Sequence, residues 1–321
     1  MSEKVAILTS GGDAAGMNPA VKFAADYASQ NGMIPYLVEW GLRGLIKDMI
    51  YPATPQLLNG LIHRGGTVLG SSRSQRFFEY EFRKVAFENL KKHGITKLIV
   101  VGGDGSFRAL NQFYADFKVP FAGIPATIDN DISGTDYCLG VDTALNMIRS
   151  SVDSIRDTAS SFARAFVIET MGRDCGYLAM VSALATDAEV CIVPEIDYDL
   201  DAIGERLRAE RAAGKKYLLG IVAEGTGMGE SLTRWMGDAL DMDSRLTVLG
   251  HVQRGGSPTV YDRMMASKFA HAAVQSLMKG EGNRVITFQD GTYSGKPIQE
   301  VADTKHHCEK GLVELCRGLS C

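Results

Sequence analysis

Leu98-Ile99-Val100-Val101 followed by Gly102-Gly103-Asp104-Gly105-Ser106 is the stretch that decides the fold. An uninterrupted apolar run rich in β-branched residues reads as a strand covered on both faces. The glycines after it let the backbone turn tightly and approach a ligand, and a helical stretch follows. The same arrangement stands near the start of the chain. Val5-Ala6-Ile7-Leu8-Thr9-Ser10 runs into Gly11-Gly12-Asp13, with a helix expected from Asn18 to about Gln30. The flanks of the two turns differ, so they are not a tandem repeat.

Working outward, strand and helix patterns alternate, the signature of an α/β fold with mainly parallel sheets. Further strands are expected at Ile34–Val38, 121–124, 164–169, 191–193, 217–222, 246–249 and 285–288. Helices are expected at 56–63, 79–93, 106–117, 143 to about 157, Tyr177–Ala185, 200–213 and 262 to about 278. In the 79–93 helix the pattern turns Val85, Phe87 and Leu90 inward, and Gly94 reads as the C-cap. No linker or low-complexity tract interrupts the 321 residues, so any domain boundary lies within a continuous fold.

Apolar residues make up 45%, charged residues 22%, and the net charge is -4, which argues against a generally nucleic-acid-binding surface. No apolar run approaches the roughly 20 residues of a membrane span. Met1-Ser2-Glu3-Lys4 leads straight into a strand without a signal-peptide pattern, so a cytoplasmic protein is expected. Cys138, Cys175, Cys191, Cys308, Cys316 and Cys321 form no C-x-x-C pair. They carry no zinc signature and read as reduced structural or surface thiols. The pair His306-His307 reads as surface.

The glycine turns are neither Walker A loops nor complete dinucleotide fingerprints. Their amides either face phosphates at two helix N-termini or merely close tight βα turns. Asp104 suits a magnesium ligand acting through water, or else a helix N-cap. In Pro125-Ala126-Thr127-Ile128-Asp129-Asn130-Asp131 the two carboxylates, if the segment is extended, share a face and can split acid–base and orienting roles. The alternative is a solvated loop. Arg73, Arg164, Arg173, Arg245 and Arg254 follow strands or glycine turns, which suggests a local site for an anionic substrate beyond the carboxyl ends of the strands. His251 has no neighbours at metal-ligand spacing.

Six ordered motifs together resemble one family, the bacterial ATP-dependent 6-phosphofructokinases. They are Gly11 to Asn18, Gly102 to Ser106, Pro125 to Asp131, Gly134-Thr135-Asp136, Met171-Gly172-Arg173, and Gly250 to Gly256. The resemblance spans essentially the whole chain. It implies two Rossmann-like three-layer α/β domains, an ATP-binding one at 1–138 and 252–303 and a fructose 6-phosphate-binding one at 139–251 and 304–321. It implies transfer of a phosphoryl group from Mg-ATP to the 1-hydroxyl of fructose 6-phosphate, with Asp129 as base and Asp104 linked to Mg2+. Gly12, Arg73 and Arg173 would stabilise the transferred group, and Asp131 would assist electrostatically. Ser74, Gly103, Gly105 and Ser106 would line the ATP site. Thr127, Met171, Gly172, Glu224, His251 and Arg254 would hold the sugar phosphate. Arg164 and Arg245 would reach it from a neighbouring subunit of a homotetramer.

The chain departs from the family at Ala15 (usually proline), Ala126 (usually glycine) and Ala109 (often glycine). Pyrophosphate-dependent relatives typically carry aspartate at the position of Gly105 and lysine at Ala126, and this chain has neither, which favours ATP. Family effector sites bind nucleoside diphosphate or phosphoenolpyruvate through basic residues. Lys22, Arg156 and Lys215 remain at such positions, with Glu189, but Asp26, Pro55 and Ala213 replace cations, so weak or absent ADP activation is expected. The competing readings are a pyrophosphate-dependent enzyme of the same family, a non-catalytic sugar-phosphate or nucleotide sensor, and a lipid or dinucleotide kinase. The last explains the second glycine turn but not Met171-Gly172-Arg173.

Overall fold

The computed structural model describes residues 2–302 and 308–321, so His306, His307 and the expected boundary at 303/304 lie outside the described residues. Its strands are β1 (Lys4–Ser10), β2 (Ile34–Val38), β3 (Ile50–Pro52), β4 (Lys97–Gly102), β5 (Phe121–Pro125), β6 (Ala165–Thr170), β7 (Val190–Ile192), β8 (Leu218–Ala223), β9 (Ser244–Val248), β10 (Arg284–Gln289) and β11 (Thr292–Pro297). They form a seven-stranded sheet in the order β11-β10-β5-β4-β1-β2-β3 and a four-stranded sheet in the order β7-β8-β6-β9. Only β3 and β11 run antiparallel to their neighbours, so the expected α/β class with mainly parallel sheets is what forms.

The described chain divides into two compact units. The first takes 2–127, 132–143 and 254–302, and the second 128–131, 144–253 and 308–321. The sequence-based division kept residues 1–138 together and so does not separate the tetrapeptide 128–131.

In the first unit, β1, β4 and β5 are buried almost throughout, as their uninterrupted apolar runs require. Burying each Val, Leu or Ile removes about 1.5–3 kcal/mol of apolar exposure from water. Their parallel register sets Ser10 beside Gly102 and Gly102 beside Pro125. The two glycine turns and the segment after Pro125 therefore leave the sheet at one edge. In the second unit, Val167, Val190, Leu218 and Val222 meet Leu232 and Met236 of the helix Gly229–Leu240. The sequence pattern did not pick out that helix.

Three expectations need correction. The helix expected at 56–63 is only Pro55–Leu58, because Asn59 is extended and Gly60 takes a positive φ of 72°. The helix expected at 143–157 runs Val141–Phe162. In Tyr80–His93 the buried positions are Arg83, Ala86 and Leu90, while Val85 is 45% exposed. Arg83 can be buried because Asp116 (2.6 Å), Gln112 (3.1 Å) and the Phe77 carbonyl (3.2 Å) satisfy its guanidinium. That ionic anchor sets a helix phase which hydrophobicity alone misplaces. Gly94 does cap this helix, at φ 67°.

Asp262, wholly buried, holds the Gly140–Thr143 segment within the first unit. Its Oδ1 accepts from the Gly140 amide (2.8 Å), and Oδ2 accepts from the Thr143 amide (2.9 Å) and hydroxyl (2.5 Å). Burial pushes the carboxyl pKa up, against these hydrogen bonds, which lower it. Asp262→Ala would strand three buried donors. It is expected to cost about 2–4 kcal/mol, read as a lower urea midpoint at unchanged slope.

Candidate active site

The first glycine turn is held from behind by the 70–72 segment. The Gly11 amide donates to the Ser72 carbonyl (3.4 Å), and the Ser71 hydroxyl donates to the Gly11 carbonyl (2.7 Å). Gly11 takes a φ of 96°, which a side chain would strain. These bonds place Arg73, exposed and without an ion pair among the described residues, immediately past the turn. Ser74 precedes the short helix Gln75–Phe78 and accepts the Phe77 amide at 3.2 Å. At Gly12 the neighbour is a side chain rather than backbone. Arg254 lies over it, a Cβ there would meet Nη1 at 2.9 Å, and Nη1 donates to the Asp13 carbonyl (3.0 Å).

In the second turn the helix begins at Asp104, earlier than expected, so Asp104 and Gly105 stand in its first turn and Gly103 at its N-cap. A Cβ added at Gly103 or Gly105 would meet nothing within 4 Å beyond its chain neighbours. Bare amides at an open helix N-terminus suit an anionic group. The Asp104 carboxylate is 38% exposed and is steadied by Arg108 one turn later (2.8 Å). The Ser106 hydroxyl donates to Ser10 Oγ (2.9 Å) and is buried, so it bolts the two turns together. Ala126 is buried beside Leu139, and its amide donates to the Gly102 carbonyl (2.9 Å). Thr127, also buried, closes the first unit's contribution at the end of β5.

In the second unit, Asp129 and Asp131 converge on one guanidinium. Arg173 Nε lies 3.2 Å from Asp129 Oδ2, and Nη1 lies 3.5 Å from Asp131 Oδ2. The spacing argument assumed an extended segment. The chain instead bends at residues 128 and 129, and Asn130 takes a φ of 51°. The two carboxylates also differ in access, Asp129 being 1% exposed and the Asp131 side chain 25%.

Arg173 is itself in a costly conformation, at φ 53° after Gly172 at φ 138°. Glu224 offsets that cost, because its Oε1 accepts both the Gly172 (3.2 Å) and Arg173 (2.9 Å) amides. Gly225 leaves room for the Arg173 carbonyl, which a Cβ would overlap. Gln253, given no role from the sequence, accepts the Met171 amide (3.1 Å) and donates to the Gly250 carbonyl (2.9 Å). Its almost complete burial is the signal, and a sequence does not display it. Met171 to Arg173, Glu224 and the exposed His251 all follow the carboxyl ends of β6, β8 and β9.

Arg164 and Arg245 do not join them. They sit at the amino ends of β6 and β9 and share Asp243, Arg164 at 2.6 Å and Arg245 through Nη1. A six-residue strand separates them from Met171 by about 20 Å. The five arginines therefore do not gather into one local site within a single chain.

Around the 186–189 turn, Arg156 donates to the Thr186 carbonyl, and Lys215 pairs with Glu189 (2.5 Å) and Glu210 (3.2 Å). Burial opposes the Lys215 charge, but the two glutamates outweigh it and raise the ammonium pKa. In the first unit, Lys22 is paired with Asp26 on its own helix.

The phosphofructokinase family model matches residues 4–277. The ATP-dependent 6-phosphofructokinase of Sulfurimonas denitrificans is 49% identical over 98% of this chain and 99% of its own length. That of Thermotoga neapolitana is 42% identical over 99% of this chain and 100% of its own. Among solved structures, phosphofructokinase from Saccharomyces cerevisiae superposes with a TM-score of 0.89 at 29% identity, covering 94% of this chain. This chain spans 45% of the yeast chain's length. A pyrophosphate-dependent phosphofructokinase from Marinobacter aquaeolei superposes at 0.84 with 21% identity over 99% of this chain and 91% of its own, a likeness of fold alone.

Proposed function

Because the chain belongs to the phosphofructokinase family, we propose that it transfers the terminal phosphoryl group of ATP to the 1-hydroxyl of fructose 6-phosphate, giving fructose 1,6-bisphosphate and ADP. The observation that supports this most is the Arg173 guanidinium held between Asp129 and Asp131 on a turn that Glu224 fixes. Asp129 takes the hydroxyl proton as that oxygen attacks phosphorus. Arg173, with Arg73 and the Gly12 amide, offsets charge on the transferred group. Met171, Gly172, Glu224, His251, Arg254 and Thr127 position the sugar phosphate.

On the nucleotide side, Ser74 and Ser106 line the ATP site together with the open amides of Gly103 and Gly105, which receive phosphate. Asp104 offers one partly exposed carboxylate at a helix N-terminus. That suits Mg2+, which takes one or two carboxylates and completes its shell with water and phosphate oxygens. Bound there, the ion would neutralise phosphate charge. The first unit is accordingly the nucleotide half and the second the sugar-phosphate half, working in the cytoplasm. Arg164 and Arg245, displaced by a strand's length from the other sugar-phosphate residues, serve the substrate of a neighbouring subunit in a homotetramer.

A donor panel tests the reading. Fructose 6-phosphate with ATP should turn over and pyrophosphate should not. Activity with pyrophosphate alone would transfer the assignment to the pyrophosphate-dependent branch, and no turnover with any donor would favour a sensor. ADP is expected to shift half-saturation for fructose 6-phosphate by less than about twofold. Lys22 and Lys215 are already paired with carboxylates, and a diphosphate must break those pairs to bind. A strong left shift at millimolar ADP would contradict this.

A further inference from the structure

Cys175 and Cys308 stand 133 positions apart in the chain, yet their sulfur atoms are 3.6 Å apart. The Cys308 thiol donates to Glu195 Oε1 at 3.2 Å, and the Gly176 amide donates to the same oxygen at 2.8 Å. The other carboxylate oxygen, Glu195 Oε2, is buried and accepts no hydrogen bond among the described residues. A half-buried carboxylate with one oxygen lacking a donor carries poorly compensated charge, and a cation bound to that carboxylate offsets it. One ligand atom from each of the three residues lies within 4.8 Å of the other two.

These separations match a tetrahedral thiolate site. Bonds of about 2.3 Å to sulfur and 2.0–2.2 Å to carboxylate oxygen set sulfur–sulfur and sulfur–oxygen edges of roughly 3.8 and 3.5 Å. The observed 3.6 and 3.2 Å are only a few tenths shorter. A covalent disulfide would bring the sulfurs to about 2.05 Å. Two sulfurs and one oxygen select a thiophilic ion over Mg2+, which seeks oxygen. Cys175 is 5% exposed, whereas Cys308 and Glu195 are half-buried, so the set lies partly covered rather than deep in the core.

We propose that Cys175, Cys308 and Glu195 form a binding site for a thiophilic divalent cation, with zinc the best fit, separate from the magnesium chemistry at Asp104. Both thiols give up their protons on binding, so affinity rises with pH. The described residues supply three donors, and a further ligand such as water or a small anion would complete the tetrahedron. The site would fasten the chain's last segment to the Met171–Arg173 turn, because the Cys175 amide donates to the Gly172 carbonyl at 3.0 Å and its thiol faces the Asn130 carbonyl at 3.9 Å.

Cobalt(II) titrated into the reduced full-length protein reads the site directly. One equivalent should produce a near-ultraviolet thiolate-to-cobalt band with intense visible bands of tetrahedral cobalt, and zinc should displace it. Cys308→Ser should weaken cobalt binding by at least about tenfold and diminish the thiolate band. Glu195→Gln should keep the two-thiolate band at lower affinity, and Cys321→Ser should change nothing. Zinc should raise the melting temperature of the parent protein but not of Cys308→Ser. Cys175→Ser probes the second sulfur independently should the Cys308 variant not fold. Equal cobalt spectra and affinities in the parent and Cys308→Ser would overturn the assignment. So would a pair that oxidises readily to a disulfide yet gives no tetrahedral cobalt spectrum when reduced.

Discussion

Asp129→Asn is expected to lower turnover of fructose 6-phosphate with ATP by about 10²–10⁴-fold, the usual contribution of a positioned general base. The substitution keeps the shape of a side chain that is 1% exposed and removes the oxygen charge that Arg173 faces at 3.2 Å. An amide cannot take the hydroxyl proton, so the loss should fall on kcat, with KM for the sugar phosphate changed only a few-fold. Melting temperature controls for misfolding. A folded Asp129→Asn protein within about tenfold of the parent in kcat would remove Asp129 from the base role.

Gly105→Asp is expected to leave the fold intact and to lower kcat/KM for ATP by about 10²–10³-fold. The open space around a Cβ at this position means the protein itself offers no clash. An added carboxylate in the first turn of helix Asp104–Phe117 is favoured by the helix dipole. The effect therefore isolates repulsion of nucleotide phosphate, and two like charges about 4 Å apart cost on the order of 4 kcal/mol in a partly screened site. Pyrophosphate should not become a substrate through this change alone, since Ala126 supplies no cation. Steady-state kinetics with both donors decides the matter. ATP efficiency within fivefold of the parent would show that Gly105 does not select the donor.

Much of the architecture was legible because the central strands are buried on both faces. An uninterrupted apolar run such as Val5 to Leu8 leaves little choice of element, and the glycines after it mark the edge of the sheet. Polar anchors were harder to see. The 79–93 helix was rotated in the sequence reading because Arg83, a charged residue, occupies a core position that Val85 was given. The helix Gly229–Leu240 was overlooked for a related reason. Its buried positions include Gly229, and only Leu232, Met236 and Leu240 mark its stripe.

The site residues that touch ligand in the family were readable from short motifs, but their supports were not. Glu224 was expected to meet the sugar phosphate, yet one of its oxygens is committed to two backbone amides. Gln253 and Asp262 act through partners 82 and about 120 positions away, beyond the reach of any local pattern. The cysteines show the same limit, for ligand spacing along the chain finds only sites made from neighbours in sequence. Cys175 and Cys308 become neighbours only when the chain folds.

The seven-stranded sheet has one further consequence, which bears on how the protein is made. β5 gains its second parallel partner only when β10 arrives, and the segments are separated by about 160 residues, including most of the second unit. At about 5–20 residues per second, ribosomal synthesis leaves the edge of β5 without that partner for on the order of ten seconds. Phe121-Ala122-Gly123-Ile124-Pro125 is short and ends in proline, features that make a poor template for a foreign strand during that interval. The interruption of one unit by another thus leaves the nascent chain, rather than the finished enzyme, to carry the unpaired edge of β5.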